Sequence, residues 1–187
     1  MNVSTELLRW AEIDLKALAD NVKALRQHLR PGTRLMGIVK KNAYGHGAVP
    51  VARVVISAGA DYLGVHSLDE ALELREANIN SPIFIMGYCS PKGAHEVIRR
   101  HLLVTVVEPE LALALDKAAR DIGTIAEVHV KVDTGIHRFG ATVEEATKLL
   151  HFLSDLHYVR VTGLYTHFSS ANAPEQAITE AQLEKFL

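Results

Sequence analysis

"LMGIVKKNAYGHG", Leu35 to Gly47, sets a short apolar run before two lysines and then a polar loop with two glycines. An open, doubly wound parallel sheet usually carries G-x-G-x-x-G after its first strand, so that a phosphate can approach the backbone; this loop lacks that pattern. The other common home for such a strand and loop is a closed barrel, where residues at the carboxyl ends of the strands share one mouth. Lys40 is then an amine delivered to that mouth. Lys41, by strand alternation, is expected to point to solvent.

Short apolar runs rich in Val, Ile and Leu continue along the chain at Leu35–Val39, Tyr62–Val65, Pro82–Met86, Leu102–Val107, Glu127–Lys131 and Val159–Tyr165. Stretches of helical period lie between them at Val49–Ser57, His95–His101, Pro109–Ala119, Val143–Leu153 and Pro174–Leu187. "LDEALELREA" adds another, and Ser67 with Glu70 three residues on reads as its capping box, which gives Glu70 a structural role. Parallel neighbours need a long connection and a helix is the compact one, so this alternation predicts a parallel sheet with right-handed crossovers. The expected fold is α/β, a TIM-type (β/α)8 barrel with about six of its eight βα units. Its strand ends would present Lys40, His66, Gly87, Tyr88, Lys131, Asp133 and His167. Residues 1–30 precede the series: Trp10, Glu12 and Asp14 alternate with Ala11, Ile13 and Leu15 as a short strand, and Leu15–Leu29 has helical period.

A chain of 187 residues, 48% hydrophobic and with a formal charge of −2, can bury one sizeable core. Five Phe, five Tyr and one Trp without a basic stripe exclude a nucleic-acid surface. No apolar run reaches the roughly 18 residues of a membrane span, and Met1–Arg9 lacks the apolar core of a signal peptide, so a cytoplasmic protein without membrane contact is expected. The single cysteine, Cys89, suits a reducing compartment and reads as structural before it reads as a catalytic thiol. Ten histidines raise a metal-dependent hydrolase as a rival, but that class wants His-x-His at the end of strand one, where Lys40–Lys41 stands; no metal is expected.

A lysine of ordinary pKa near 10.4 is a poor nucleophile until burial or a nearby cation lowers it. A strand end inside a barrel mouth offers both. Lys40 could there form an imine with a carbonyl compound, and pyridoxal phosphate is the candidate. Each residue has a plainer reading beside this one. Lys40 could be surface charge, Asp133 and Arg138 could pair across a turn at Gly135, Lys131 could snorkel, and His167 could serve a backbone carbonyl. Asn42 and His46 read as loop-shaping residues with capping capacity.

"VKKNAYGHG" closely resembles the Lys-x-Asn-Ala-Tyr-Gly-His-Gly motif at the start of alanine racemases. "WAEIDLKAL", "KVDTGIHRFG" (Lys131–Gly140) and "GLYTHFSSA" (Gly163–Ala171) resemble the same family in the same order. The resemblance implies that Lys40 holds pyridoxal phosphate and acts as the base for one enantiomer, while Tyr44 reaches the cofactor phosphate. It implies that Lys131 is the lysine often carbamylated in the family, orienting Arg138, which contacts the cofactor's phenolic oxygen and the substrate carboxylate. His167 corresponds to a histidine beneath the ring that supports an arginine at the pyridine nitrogen. The activity implied is interconversion of L- and D-alanine, supplying D-alanine for peptidoglycan, by a homodimer whose second base is a tyrosine from the C-terminal β domain of the partner subunit. Residues 1–187 match the N-terminal, cofactor-binding barrel portion alone. The C-terminal β domain is expected to be absent, which implies that the isolated chain is not catalytically competent. A non-catalytic pyridoxal-phosphate-binding barrel and a racemase of another small amino acid are the alternatives.

Overall fold

The structure is a computed structural model and describes residues 9–187. Helix α1 (Leu15–His28) precedes strand β1 (Met36–Ile38), and after a turn over Lys40–Tyr44 come α2 (Ala48–Ser57), β2 (Tyr62–Val65), α3 (Leu68–Glu76) and β3 (Ile83–Ile85). A 3-10 turn at Pro91–Gly93 leads into α4 (Ala94–Arg99), followed by β4 (Leu103–Val106), α5 (Pro109–Ile122), β5 (Ala126–Lys131), α6 (Val143–Ser154), β6 (Val159–Tyr165) and α7 (Ala177–Phe186). The six strands form one sheet in sequence order, every pair parallel, with one register shift between Val128 and His129.

Two strand faces explain the apolar runs. Leu63, Ile83, Ile85, Val104, Val106, Val128 and Val130 are buried among the helices, whereas Phe84, Thr105, His129 and Tyr165 face the inside of the curve. That curve is strong. The Phe84 and Tyr165 rings, on β3 and β6, have centroids 5.4 Å apart, and the Tyr165 hydroxyl shares a hydrogen bond with Thr105 Oγ1 on β4 at 2.8 Å. In a flat sheet, strands three places apart stand roughly 14 Å from one another. The sheet is thus rolled as in a barrel, with all six carboxyl ends on one rim.

The strand expected over Trp10–Leu15 does not form among the described residues, and residues 1–8 of the expected N-terminal segment lie outside them. Asp14 instead caps α1, its Oδ1 accepting from the Ala17 amide at 2.9 Å, and Trp10 stands 71% exposed with no strand beside it. Alternation without a partner is not enough for a strand. Helix ends also move: α5 runs past Ala119 to Ile122 and stops at the left-handed Gly123, and α7 begins at Ala177 rather than Pro174. Among the described residues no helix is long and apolar enough to cross a membrane.

Candidate active site

Strand β1 ends at Ile38, and Val39 turns out of it at φ −120°, ψ 16°. Lys41, Asn42, Ala43 and Tyr44 then all adopt left-handed conformations, with φ between 50° and 54°. For residues with a Cβ this costs on the order of 1–2 kcal/mol each, so the turn persists only because neighbours hold it. The Ala43 amide donates to Val39 O at 2.8 Å and the Gly47 amide to Asn42 O at 3.0 Å. Asn42 Oδ1 accepts from the Ala48 amide at 2.7 Å and so caps α2, and His46 Nδ1 lies 2.9 Å from Ala43 O. From outside the turn, Glu70 Oε1 accepts from the Lys41 amide at 2.9 Å. Lys41 is therefore directed by a left-handed turn, not by the strand alternation expected for it.

Glu70 does more than the expected capping box. Ser67 Oγ does accept from the Glu70 amide at 3.4 Å, but the Glu70 carboxylate bridges two strand ends, taking the Lys41 amide with one oxygen and the His66 amide with the other at 2.6 Å. Burial alone would raise this carboxyl, yet the amides of His66, Lys41 and Ser67 outweigh it and hold it below the usual carboxylate range.

The loop after β5 is closed at its neck by the Asp133 amide donating to Ala141 O at 2.7 Å and the Ala141 amide donating to Lys131 O at 3.0 Å. Inside it, Asp133 Oδ1 accepts from the amides of Gly135 (2.9 Å), Ile136 (3.1 Å) and His137 (3.1 Å). Asp133 is a loop former, not the partner of Arg138; its other oxygen lies 3.7 Å from His137 Nδ1. Arg138 projects from the loop, exposed to solvent. Lys131 does not snorkel. It is 5% exposed, donates to Phe139 O at 2.6 Å, and lies 5.9 Å and 5.7 Å from the ring centres of Phe139 and Tyr165. Burial pushes its ammonium below the ordinary lysine value, with Arg138 adding to the shift and Asp133 opposing it.

His167 follows β6 on the same rim. Partial burial pushes its imidazole down, and the Arg138, Lys131 and Lys40 cations push it further. Lys40 after β1, Lys131 at the end of β5 and His167 after β6 thus share the carboxyl-end rim, with Arg138 on the loop after β5. Tyr44 stands beside them, 60% exposed, with its ring centre 6.0 Å from Lys40 Nζ. His66 contributes its backbone, and Tyr88 is exposed. Cys89 is buried, its thiol pushed up by that burial, which suits a packing role. Among the described residues no three His, Cys, Asp or Glu side chains gather as a metal-binding group. Sequence reasoning missed Tyr165, whose hydroxyl also donates to Met86 O at 3.1 Å beneath the cluster.

A rim that carries Lys40, Lys131 and Arg138 is suited to an anionic ligand. The sequence profile of the family "Alanine racemase, N-terminal domain" matches residues 13–187. The chain belongs to this family. Among alanine racemases similar to it, that of Symbiobacterium thermophilum is 44% identical over 177 residues, covering 95% of this chain and 47% of the relative. Its structure is similar to the alanine racemase of Enterococcus faecalis (TM-score 0.87, 38% identity, covering 93% of this chain and 47% of that one). It is also similar to that of Bacillus anthracis with bound L-Ala-P (TM-score 0.87, 32% identity, 95% and 46%). The chain spans about half the length of the curated alanine racemases it matches.

Proposed function

We propose that this chain supplies the cofactor lysine and the carboxylate-binding arginine of a pyridoxal-phosphate-dependent alanine racemase, an isomerase interconverting L- and D-alanine for peptidoglycan. The observation that carries the reading is the placement of Lys40 just past the carboxyl end of β1, its amine 6.0 Å from the Tyr44 ring centre, on the rim that also carries Lys131 at the end of β5 and His167 after β6. The donor set fits the cofactor and substrate: Lys40 offers an amine for the cofactor's aldehyde, Tyr44 a hydroxyl for its phosphate, and Arg138 a guanidinium for its phenolic oxygen and for the carboxylate of alanine. The bound cofactor would supply the electron sink that makes the α-proton of alanine acidic.

Each side chain has a definite task in this reading. Lys40 holds the cofactor and exchanges the α-proton on one face. Tyr44, exposed beside Lys40, reaches the phosphate with its hydroxyl. The planar guanidinium of Arg138 grips the substrate carboxylate through paired hydrogen bonds and meets the phenolic oxygen. Lys131 stands behind it as the candidate for carbamylation, which would exchange a buried cation for an anion able to orient Arg138. His167 would support the group that meets the cofactor's pyridine nitrogen. Inversion needs a second base on the opposite face, and we assign that to a tyrosine from the C-terminal β domain of the partner subunit in a homodimer. Residues 1–187 would serve as the N-terminal barrel portion of such an enzyme, working in the cytoplasm.

The test is D-alanine formation from L-alanine with added pyridoxal phosphate, using the chain together with the C-terminal half of the Symbiobacterium relative. Turnover is expected, and Arg138→Lys should reduce it by about 10²-fold or more, because an ammonium cannot copy the paired grip. Unchanged turnover in Arg138→Ala would contradict the assignment.

A further inference from the structure

Two lysines stand side by side at the rim, and the fold must choose between them. Their amines part company in the left-handed turn. The Lys40 amine lies 6.0 Å from the Tyr44 ring centre and is half-buried, whereas Lys41 is exposed, with its backbone amide held by Glu70. Glu70 also fixes the start of the turn, since its two oxygens take the Lys41 amide at 2.9 Å and the His66 amide at 2.6 Å, tying the segment after β1 to the end of β2. A helix cap alone would need neither contact: Ser67 Oγ already serves the first turn of α3.

We propose that Glu70 is a positioning residue that decides which of the two adjacent lysines faces the mouth, by pinning the Lys41 amide to the end of β2. The inference rests on the racemase reading for what Lys40 does, but not for the clamp itself. Only an ionised carboxylate fills this place well, because both oxygens must accept. A glutamine would offer one acceptor and turn its NH2 against the second amide. Removing the side chain leaves two amides without their partner and a strained turn without its external restraint.

Two measurements on the 187-residue chain test this. The first is hydrogen exchange of single amides by NMR, which needs no cofactor. Glu70→Ala should speed exchange at Lys41 and His66 by about tenfold or more, and Glu70→Gln, which preserves shape, should speed one of the two. The second is the division of pyridoxyl adduct between Lys40 and Lys41 after incubation with pyridoxal phosphate and borohydride reduction. The unaltered chain should carry it on Lys40, and Glu70→Ala should raise the Lys41 share by about tenfold. Ser67→Ala is the control, for it weakens the start of α3 without touching Lys41 and should leave both readouts at Lys41 unchanged. Unaltered Lys41 exchange in Glu70→Ala, or an equal change in adduct division from Ser67→Ala, would overturn the proposal. An adduct on neither lysine in the unaltered chain would contradict the cofactor reading, and the exchange measurement would then decide the Glu70 assignment on its own.

Discussion

Asp133 shows how one carboxylate can build a loop around itself. Three amides converge on Oδ1, and although burial alone would raise the carboxyl, those amides and His137 hold it below the usual carboxylate range. The sign of the pH effect follows. A depressed carboxyl contributes its stabilisation in full above its unfolded value, about 3.9, and loses it as pH falls through the lower folded value. Protection of the Gly135, Ile136 and His137 amides, their exchange measured against the intrinsic rate at each pH, should therefore hold above pH of about 4 and fall below it, and Asp133→Ala should cost about 1–3 kcal/mol in urea unfolding. Pairing with Arg138 would predict the opposite emphasis, a loss matched by Arg138→Ala. At this scale the place of Lys40 just past β1 was readable from sequence because a short apolar run stops directly before it. Glu70 was readable only as a helix cap, because the Lys41 amide it also serves lies 29 residues away and no local pattern reports such a contact.

The strands were visible as elements because their outward faces are buried under helices and need Val, Ile and Leu at successive outward positions. What periodicity could not show was the turn after β1. Four left-handed residues with side chains run against local preference, and contacts with α3 and α2 help hold them, through Glu70 on the Lys41 amide and Asn42 on the Ala48 amide. The short strand expected near Trp10 failed for the converse reason, since its pattern is local and its Asp14 is taken by a helix cap. Across the rolled sheet, Tyr165 fastens β6 to β3 and β4. Burial pushes its phenol up to about 12, with Thr105 opposing, so it remains a neutral donor at ordinary pH. Tyr165→Phe should lower stability by about 0.5–1.5 kcal/mol, read as a shift in the urea midpoint at constant slope. An unchanged midpoint would show that the ring alone makes the contact.

At the scale of the whole molecule, β1 and β6 pair on one side only among the described residues, and Ile38 and Leu164 stand exposed on them. Parallel edges of this kind seek further strands. In the proposed reaction Lys40 provides for one proton transfer but not for its return from the other side. Residues 1–187 produced by themselves should therefore form D-alanine at least about 10²-fold more slowly than the same residues supplied with the second half of a relative. Equal rates would place the second base within this chain or a second copy of it. The central claim is that the turn after β1 presents Lys40, and Lys40 alone, to pyridoxal phosphate. Peptide mapping by mass spectrometry after incubation with the cofactor and borohydride reduction tests it most directly: the pyridoxyl group should be found on Lys40 and be lost in Lys40→Ala, whereas a modified Lys41 or Lys131, or no modified lysine at all, would contradict it.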